Sequence, residues 1–485
     1  MLDKIKSLSK QTLIYGTSTI VGRFLNFLLV PIYTNIFPPS EYGVVTLVFA
    51  YIALLNIFYS IGFESGYFKF ASTLEVGDEK QNFTHPYVTI FLNAVVLSTL
   101  LLILSDPIAG IIALNAKYTS FVRYSALILF FDAIVLVPFA YLRLKNKAKI
   151  FAAIKIINIV VNVILNILLV VVFRMGLIAI FISNLAASFI TFLLLLPIVF
   201  KNLSFTYNSK LLDELWRFSL PYIPSGLASN MIIVVSRPIM QFLTDEATIG
   251  IFQANLRMAI IMSLIVQMFE YAWRPFFLNN ANEPNAKQIF SKVMTVFVGF
   301  ASLLLIVLTF FIEDIIKIPL PYRGHLIGVK YWGGVYIVPI ILLAYLFNGI
   351  YINLMAGIYI EKKTKYLPLI TGLGAIITIA FNFILIPIWG LTGAALATFF
   401  SYFSMAVYIY YVSQKFYPIK YELNKIFLIC LINTAALGLY YAMFYHLIPS
   451  NWIIKILFSI VLMAGIAMVS GLSKARRLIF NSKPA

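Results

Sequence analysis

The chain has 485 residues, 62% of them hydrophobic and 11% charged, and 36 lysines and arginines against 18 acidic residues give a formal charge of +18. A soluble fold cannot hide that much apolar surface, so the composition excludes a water-soluble enzyme or binding module and implies an all-α integral membrane protein. The basic excess would suggest nucleic acid in a soluble chain, but here it falls on the loops of one side, and no nucleic-acid partner is implied.

In chain order, the first apolar stretch runs from Thr12 to Ile36, about 25 residues, long enough to cross a bilayer with some tilt. Arg23 sits near its middle, where a cation costs about 2.5–3.5 kcal/mol unless it faces water or a partner. Thr12, Gly16, Thr19, Arg23 and Asn26 recur at steps of 3–4 and form one polar stripe. Pro31 frees a backbone carbonyl and can bend the upper part of the helix, which breaks at Pro38-Pro39-Ser40-Glu41. The segment is too long and too polar for a signal peptide, so it is expected to stay on the protein.

Thirteen further spans are expected at 43–66, 86–105, 119–142, 150–173, 176–199, 216–243, 248–274, 288–312, 333–359, 366–387, 390–412, 426–446 and 452–471, about 14 in all. An even number puts both termini on one side. Twenty-five lysines and arginines, Lys155 among them, fall in the loops of that side and six in the loops of the other, so both termini are expected in the cytoplasm. The loop 201–215 reads as a cytoplasmic linker between an N-terminal lobe, 1–200, and a C-terminal lobe, 216–412. Residues 413–485 supply two extra helices and a tail.

The lobes echo each other. Pro31 and Pro238 are 207 positions apart, as are Gly43 and Gly250, while Asn166…Met175-Gly176-Leu177 echoes Asn382…Trp389-Gly390-Leu391 at 214–216. Six spans per copy is even, which predicts two six-helix lobes related by a parallel pseudo-two-fold, with a cavity between them near mid-membrane.

Polar residues inside spans are the candidates for that cavity. In the seventh span Gly226, Asn230, Arg237 and Gln241 share a helical face, with Pro221 and Pro224 at the entry and Pro238 near the exit of a discontinuous helix. In the eighth, Gln253 and Arg257 are four apart, and so are Glu270 and Arg274, which read as a structural ion pair. The fourth span carries Asp132, and the second carries Asn56, Ser60 and Glu64 at helical spacing. Arg23, Asn26, Asn230, Arg237 and Arg257 are therefore the candidate substrate contacts, and Asp132 and Glu64 the candidate ion-coupling residues.

Each has a plainer alternative. Arg23 and Asp132 could simply neutralise each other, and Arg237 and Arg257 could snorkel to the surface. Asn158, Asn162 and Asn166 form a stripe best read as interhelical hydrogen-bond glue. His85, His325 and His446 stand singly, and no metal spacing, nucleotide loop or nucleophile elbow occurs, so no cofactor is expected and energy would come from a gradient. Cys430 is the single cysteine, so there is no disulfide framework.

Several stretches resemble a known family. Gly22-Arg23-Phe24, Pro31-Ile32-Tyr33-Thr34-Asn35, Ser40-Glu41-Tyr42-Gly43, Pro138-Phe139-Ala140-Tyr141-Leu142-Arg143 with its basic Lys145–Lys149 loop, and Asn382…Pro387…Gly390-Leu391-Thr392-Gly393-Ala394-Ala395 are similar to the Wzx-type polysaccharide flippases of the multidrug/oligosaccharidyl-lipid/polysaccharide exporter superfamily. The resemblance implies movement of an undecaprenyl-pyrophosphate-linked oligosaccharide between leaflets of a bacterial inner membrane, by alternating access through a cationic cavity. Such a chain is no enzyme; its partners are the lipid-linked oligosaccharide, membrane lipids and other polysaccharide-assembly proteins. A lipid II flippase is a near alternative. A multidrug exporter would need acidic residues where arginine predominates, and a membrane polymerase or ligase would need a larger outer loop than Glu313–Trp332.

Overall fold

A computed structural model describes residue 22 and residues 25–112, 114–321 and 324–471, and nearly all of these residues are helical. Among them eleven helices are long and apolar enough to cross a membrane, or thirteen when each of two bent pairs is one span. Each of the thirteen has a counterpart in the sequence reading. The first expected span lies mostly outside the described residues, and its described part is the short apolar helix Leu25–Ile36. Its continuous run from Leu29 to Ile36 is α1, preceded by a turn at Leu28. Pro31 cannot donate a hydrogen bond to the preceding turn, which accounts for the break there.

By packing the chain divides into two compact units, residues 1–33 with 40–249, and residues 34–39 with 250–485. In the first unit α2 (Pro39–Ser60) and α3 (Phe63–Thr73) form one long bent span. The bend is a left-handed pair, Ile61 at φ 50° and Gly62 at φ 71°. Isoleucine rarely tolerates that region, so the surrounding packing must enforce it. A Cβ on Gly62 would lie 2.6 Å from the carbonyl oxygen of Ser219, so the close approach also requires glycine. Helix α4 (Glu79–Ile103) starts earlier than its apolar run because Asp78 and Gln81 form a capping box. There follow α5 (Ser105–Ile111), α6 (Thr119–Ile134), α7 (Leu136–Leu144), α8 (Ala148–Asn166) and α9 (Ile178–Asn202), with α9 packed against both α6 and α8.

The stretch read as a linker is extended only after Asn202 and becomes helical again at α10 (Ser209–Ser219), whose Leu211 and Leu215 are buried. The seventh span continues as α11 (Tyr222–Val234) and α12 (Ser236–Leu243), bent by 57°. Pro238 leaves the Val234 carbonyl without its helical donor, which places the break at Val235 as the prolines suggested.

Helix α13 (Glu246–Met258) begins in the first unit and passes into the second, where α14 (Ile260–Asn280), α15 (Ala286–Ile316), α16 (Val338–Ile360), α17 (Tyr366–Trp389), α18 (Leu391–Phe416), α19 (Leu423–Phe444) and α20 (Trp452–Ser470) follow. Helix α18 packs against α16 and α17, and α15 carries α19 and α20. Strands β1 (Pro319–Leu320) and β2 (Gly324–His325) pair in the outer loop. That loop clasps residues 34–39 of its own unit: Asn35 Nδ2 donates to the His325 carbonyl at 2.6 Å and Tyr331 Oη donates to the Phe37 carbonyl at 3.0 Å.

The 207-residue spacing reappears in the element bounds. Leu29 and Ile36 bound α1, and Ser236 and Leu243, 207 positions on, bound α12. Gly176 and Gly390, paired by the second echo, both have positive φ, 70° and 52°, in tight turns between spans. Large apolar side chains such as Leu92, Val96 and Ile103 on α4 and Ile453, Ile460 and Val461 on α20 are exposed, a surface that only lipid solvates without penalty.

Candidate functional site

Inside the first unit four charged side chains from four helices gather at the α7–α8 end. Glu64 in the first turn of α3 forms an ion pair with Arg143 in the last turn of α7. The Arg143 guanidinium also lies 4.8 Å from the centre of the Phe68 ring and 5.9 Å from that of Phe151. Lys155, seven residues into α8, places its ammonium 4.3 Å from the Phe139 ring centre. It is attracted by Asp132 and Glu64 and repelled by Arg143. Asp132 on α6 accepts a 2.6 Å hydrogen bond from Ser188 Oγ on α9. Two acids and two bases thus share one region of low dielectric, where each charge is worth more than in water.

A polar line continues from Lys155 along α8. Asn158 Nδ2 donates to Thr191 Oγ1 at 2.8 Å, and Asn166 Nδ2 donates to Asn162 Oδ1 at 3.1 Å. Tyr33 Oη donates to Asn166 Oδ1 at 2.6 Å. The asparagine stripe ties α8 to α9 and to α1, as its spacing suggested.

Of the expected site residues described in the first unit, Glu64 and Asp132 fall in this charged cluster, while Asn26, Asn230 and Arg237 lie apart from it. Arg23 lies outside the described residues, and with it the question of whether it faces Asp132. Asn26 is exposed. Asn230 is half-buried on α11 and donates to the Gly226 carbonyl at 3.1 Å, while Arg237 lies across the break on α12, so the single polar face drawn through both is interrupted. Arg237 is 7% exposed and does not snorkel: it donates to the carbonyls of Thr46 at 3.2 Å and Ile233 at 3.4 Å. Arg257, in the second unit, is exposed although Gln253 one turn earlier is buried, so these two do not share an environment. Glu270 and Arg274 form the expected ion pair at 2.6 Å.

Three further corrections concern this cluster, a charged seam of Glu64, Asp132, Arg143 and Lys155. Glu64 does not continue the Asn56–Ser60 face, because the left-handed pair at Ile61–Gly62 ends α2 first. Lys155, counted among the loop cations, is inside a span. Its spacing of 3, 7 and 11 residues to Asn158, Asn162 and Asn166 placed it on the asparagine stripe and was the signal that could have found it. Arg143, read as the first residue of a basic loop, is the last-turn residue of α7 and the partner of Glu64.

No curated protein matches the chain in sequence. Among solved structures the chain is similar to the lipid II flippase MurJ in an inward closed conformation, at 16% identity and a TM-score of 0.74, covering 96% of this chain and 100% of that one. It is also similar to an inward-facing multidrug resistance MATE family transporter of the MOP superfamily, at 13% identity and a TM-score of 0.63, covering 81% and 94%. A MATE protein in complex with MaD3S matches at 14% identity and a TM-score of 0.61, covering 84% and 95%. These likenesses establish the fold alone, which this chain shares with the MurJ and MATE structures. Residues 32–320, more than half of the chain, match the polysaccharide biosynthesis protein family, and the chain belongs to that family.

Proposed function

We propose that the chain is a flippase that carries undecaprenyl-pyrophosphate-linked oligosaccharide repeat units from the inner to the outer leaflet of a bacterial inner membrane, for O-antigen or another surface polysaccharide. The observation that carries this reading is the family match across residues 32–320, joined to a fold shared over the full length of a protein named as a lipid II flippase. A sugar pyrophosphate on a lipid is an anion with a large polar head, and guanidinium forks suit its oxygens. Arg23, Asn26, Asn230, Arg237 and Arg257 are the proposed contacts, with both termini cytoplasmic. The partly exposed acids of the seam, Glu64 and Asp132, are the proposed coupling residues, since their cationic neighbours can respond to a bound proton or ion.

Deleting the gene tests this. The expected result is undecaprenyl-linked repeat units trapped on the cytoplasmic face and loss of surface glycan, both restored by the wild-type chain. Unchanged glycan export would refute it. The similarity to MurJ favours a second reading, transport of lipid II itself, which is supported instead if the chain rescues cells depleted of their lipid II flippase.

A further inference from the structure

At one end of the first unit α4 and α9 part over an apolar groove of about 340 Å³. Thr84, Val88 and Phe91 line it from α4, Leu196 and Phe200 from α9, and Phe205 from the connection that follows. The rim is rigid. The Ser204 amide donates to Thr84 Oγ1 at 2.9 Å, the Asn208 amide donates to His85 Nε2 at 2.9 Å, and Gln81 Nε2 donates to Thr206 Oγ1 at 3.2 Å.

The aromatic side chains on this rim nevertheless point outward: Phe200 is 69% exposed, Tyr207 74% and Phe205 fully exposed. Rings held out on a fixed backbone are costly in water and at home in the interfacial layer of a bilayer. Helix α10, which follows, buries Leu211 and Leu215 where it packs on α3 and α4 and leaves Lys210, Asp213 and Arg217 exposed. The exposed rings beside the groove suit the headgroup level of a bilayer.

Its α4 wall has a chemical order. Lys80, Thr84, Val88 and Phe91 follow at steps of 4, 4 and 3, one helical face that runs from an exposed ammonium through a hydroxyl to aliphatic and aromatic carbon. A glycerophospholipid runs in the same order, from phosphate through ester oxygens to acyl chain. The nearest acids on α4 leave Lys80 free to act: Glu79 is paired with Lys145 at 2.7 Å, and Asp78 accepts the Gln81 amide at the helix start. Lys201 and Lys210 are exposed on the last turn of α9 and the first turn of α10, adding to the positive field.

We infer that this groove binds one anionic glycerophospholipid, with an acyl chain along Val88, Phe91 and Leu196 and its phosphate held by Lys80. The inference does not depend on which lipid-linked substrate is carried, and neither Lys80 nor Val88 belongs to the charged seam.

The test uses the full chain in detergent with phosphatidylglycerol bearing a photoreactive group in its acyl chain, and phosphatidylcholine carrying the same group. Phosphatidylglycerol should label peptides covering residues 84–91 and 196–205 about fivefold more than phosphatidylcholine does, the increment expected of one lysine near a lipid phosphate. Lys80→Glu should bring the two lipids level. Val88→Trp, which fills the groove from a partly exposed position, should remove labelling of these peptides by both, while Ile456→Trp on the lipid-facing side of α20 changes nothing. Equal labelling by the two lipids, or no effect of Lys80→Glu in a chain that elutes and melts normally, would overturn the assignment in favour of non-selective annular lipid. Displacement of phosphatidylglycerol by equimolar undecaprenyl phosphate would overturn it in favour of the tail of a transported lipid.

Discussion

Removing one partner of the Glu64–Arg143 pair should destabilise the first unit in a way that removing both does not. Their side chains are 33% and 35% exposed. A fully exposed pair is worth about 0–1 kcal/mol, and stripping one partner from a fully buried pair costs about 3–5 kcal/mol. At one-third exposure Glu64→Ala should cost about 1.5–3 kcal/mol. Arg143→Ala also loses the contacts with Phe68 and Phe151, at about 0.5–1 kcal/mol each, and should cost about 2.5–5 kcal/mol. The double alanine leaves no orphaned charge, so a coupling of about 1–2 kcal/mol is expected. The measurement is a double-mutant cycle on the solubilised full chain, unfolded by denaturing detergent and followed by tryptophan fluorescence. Additivity within about 0.3–0.5 kcal/mol would refute the pair as an energetic unit. The same cycle separates coupling from architecture. Glu64→Gln keeps the shape and a hydrogen bond to Arg143, so it should abolish glycan export at normal abundance if Glu64 carries the coupling ion. Full export by that variant would sink the coupling role.

In the second unit Lys455 is 8% exposed and pairs with Asp314 at 2.6 Å, so Lys455→Ala should cost about 3–5 kcal/mol and loosen α20 from α15, read as faster proteolysis between residues 445 and 452; the double alanine should recover much of the loss, and equal losses would refute this. Gly66→Val should lower the melting temperature and yield by an overpacking cost of about 1–3 kcal/mol, because a Cβ there lies 2.5 Å from Ser219 Oγ and 3.0 Å from Leu215 Cδ2; an unchanged melt would show that α3 does not hold its seat on α10. Gly390→Ala meets open space, but φ 52° with ψ −122° lies outside the left-handed helical well and suits glycine alone, so the backbone by itself should cost about 1–3 kcal/mol and an unchanged melt would refute this. Cysteines at Ser40, Thr244 and Ser450 should react with an impermeant thiol reagent from outside the cell while those at Asn146 and Lys363 stay protected; the reverse pattern would break the proposed topology.

The sequence by itself determined that the chain is an all-helical membrane protein and roughly where its described spans fall. Apolar run length is a local quantity, summed residue by residue against a fixed bilayer thickness, and it needs no knowledge of neighbours. The 207-residue spacing from Pro31 to Pro238 was also legible, and the bounds of α1 and α12 keep it. The expected fold came from the motifs that resemble the flippase family, such as Ser40-Glu41-Tyr42-Gly43, and not from run length. Turn chemistry at Gly176 and Gly390, the bend at Pro238 and the asparagine stripe could be read for the same reason, each being set within a few residues.

Tertiary structure decided which charges meet. Successive helical residues are rotated by about 100°, so a single unwound step re-aims every side chain after it. Two left-handed residues at Ile61 and Gly62 took Glu64 off the face of Asn56 and Ser60 and set it against Arg143, 79 positions away. The break at Val235 parted Asn230 from Arg237 in the same way and turned the guanidinium onto backbone carbonyls. Lys155 was misplaced because a lysine near a span end has equal local reason to be in the loop or in the helix. The packing of α8 beside Asp132 and Phe139 resolved it, since an ammonium under a ring and near a carboxylate can remain inside the membrane.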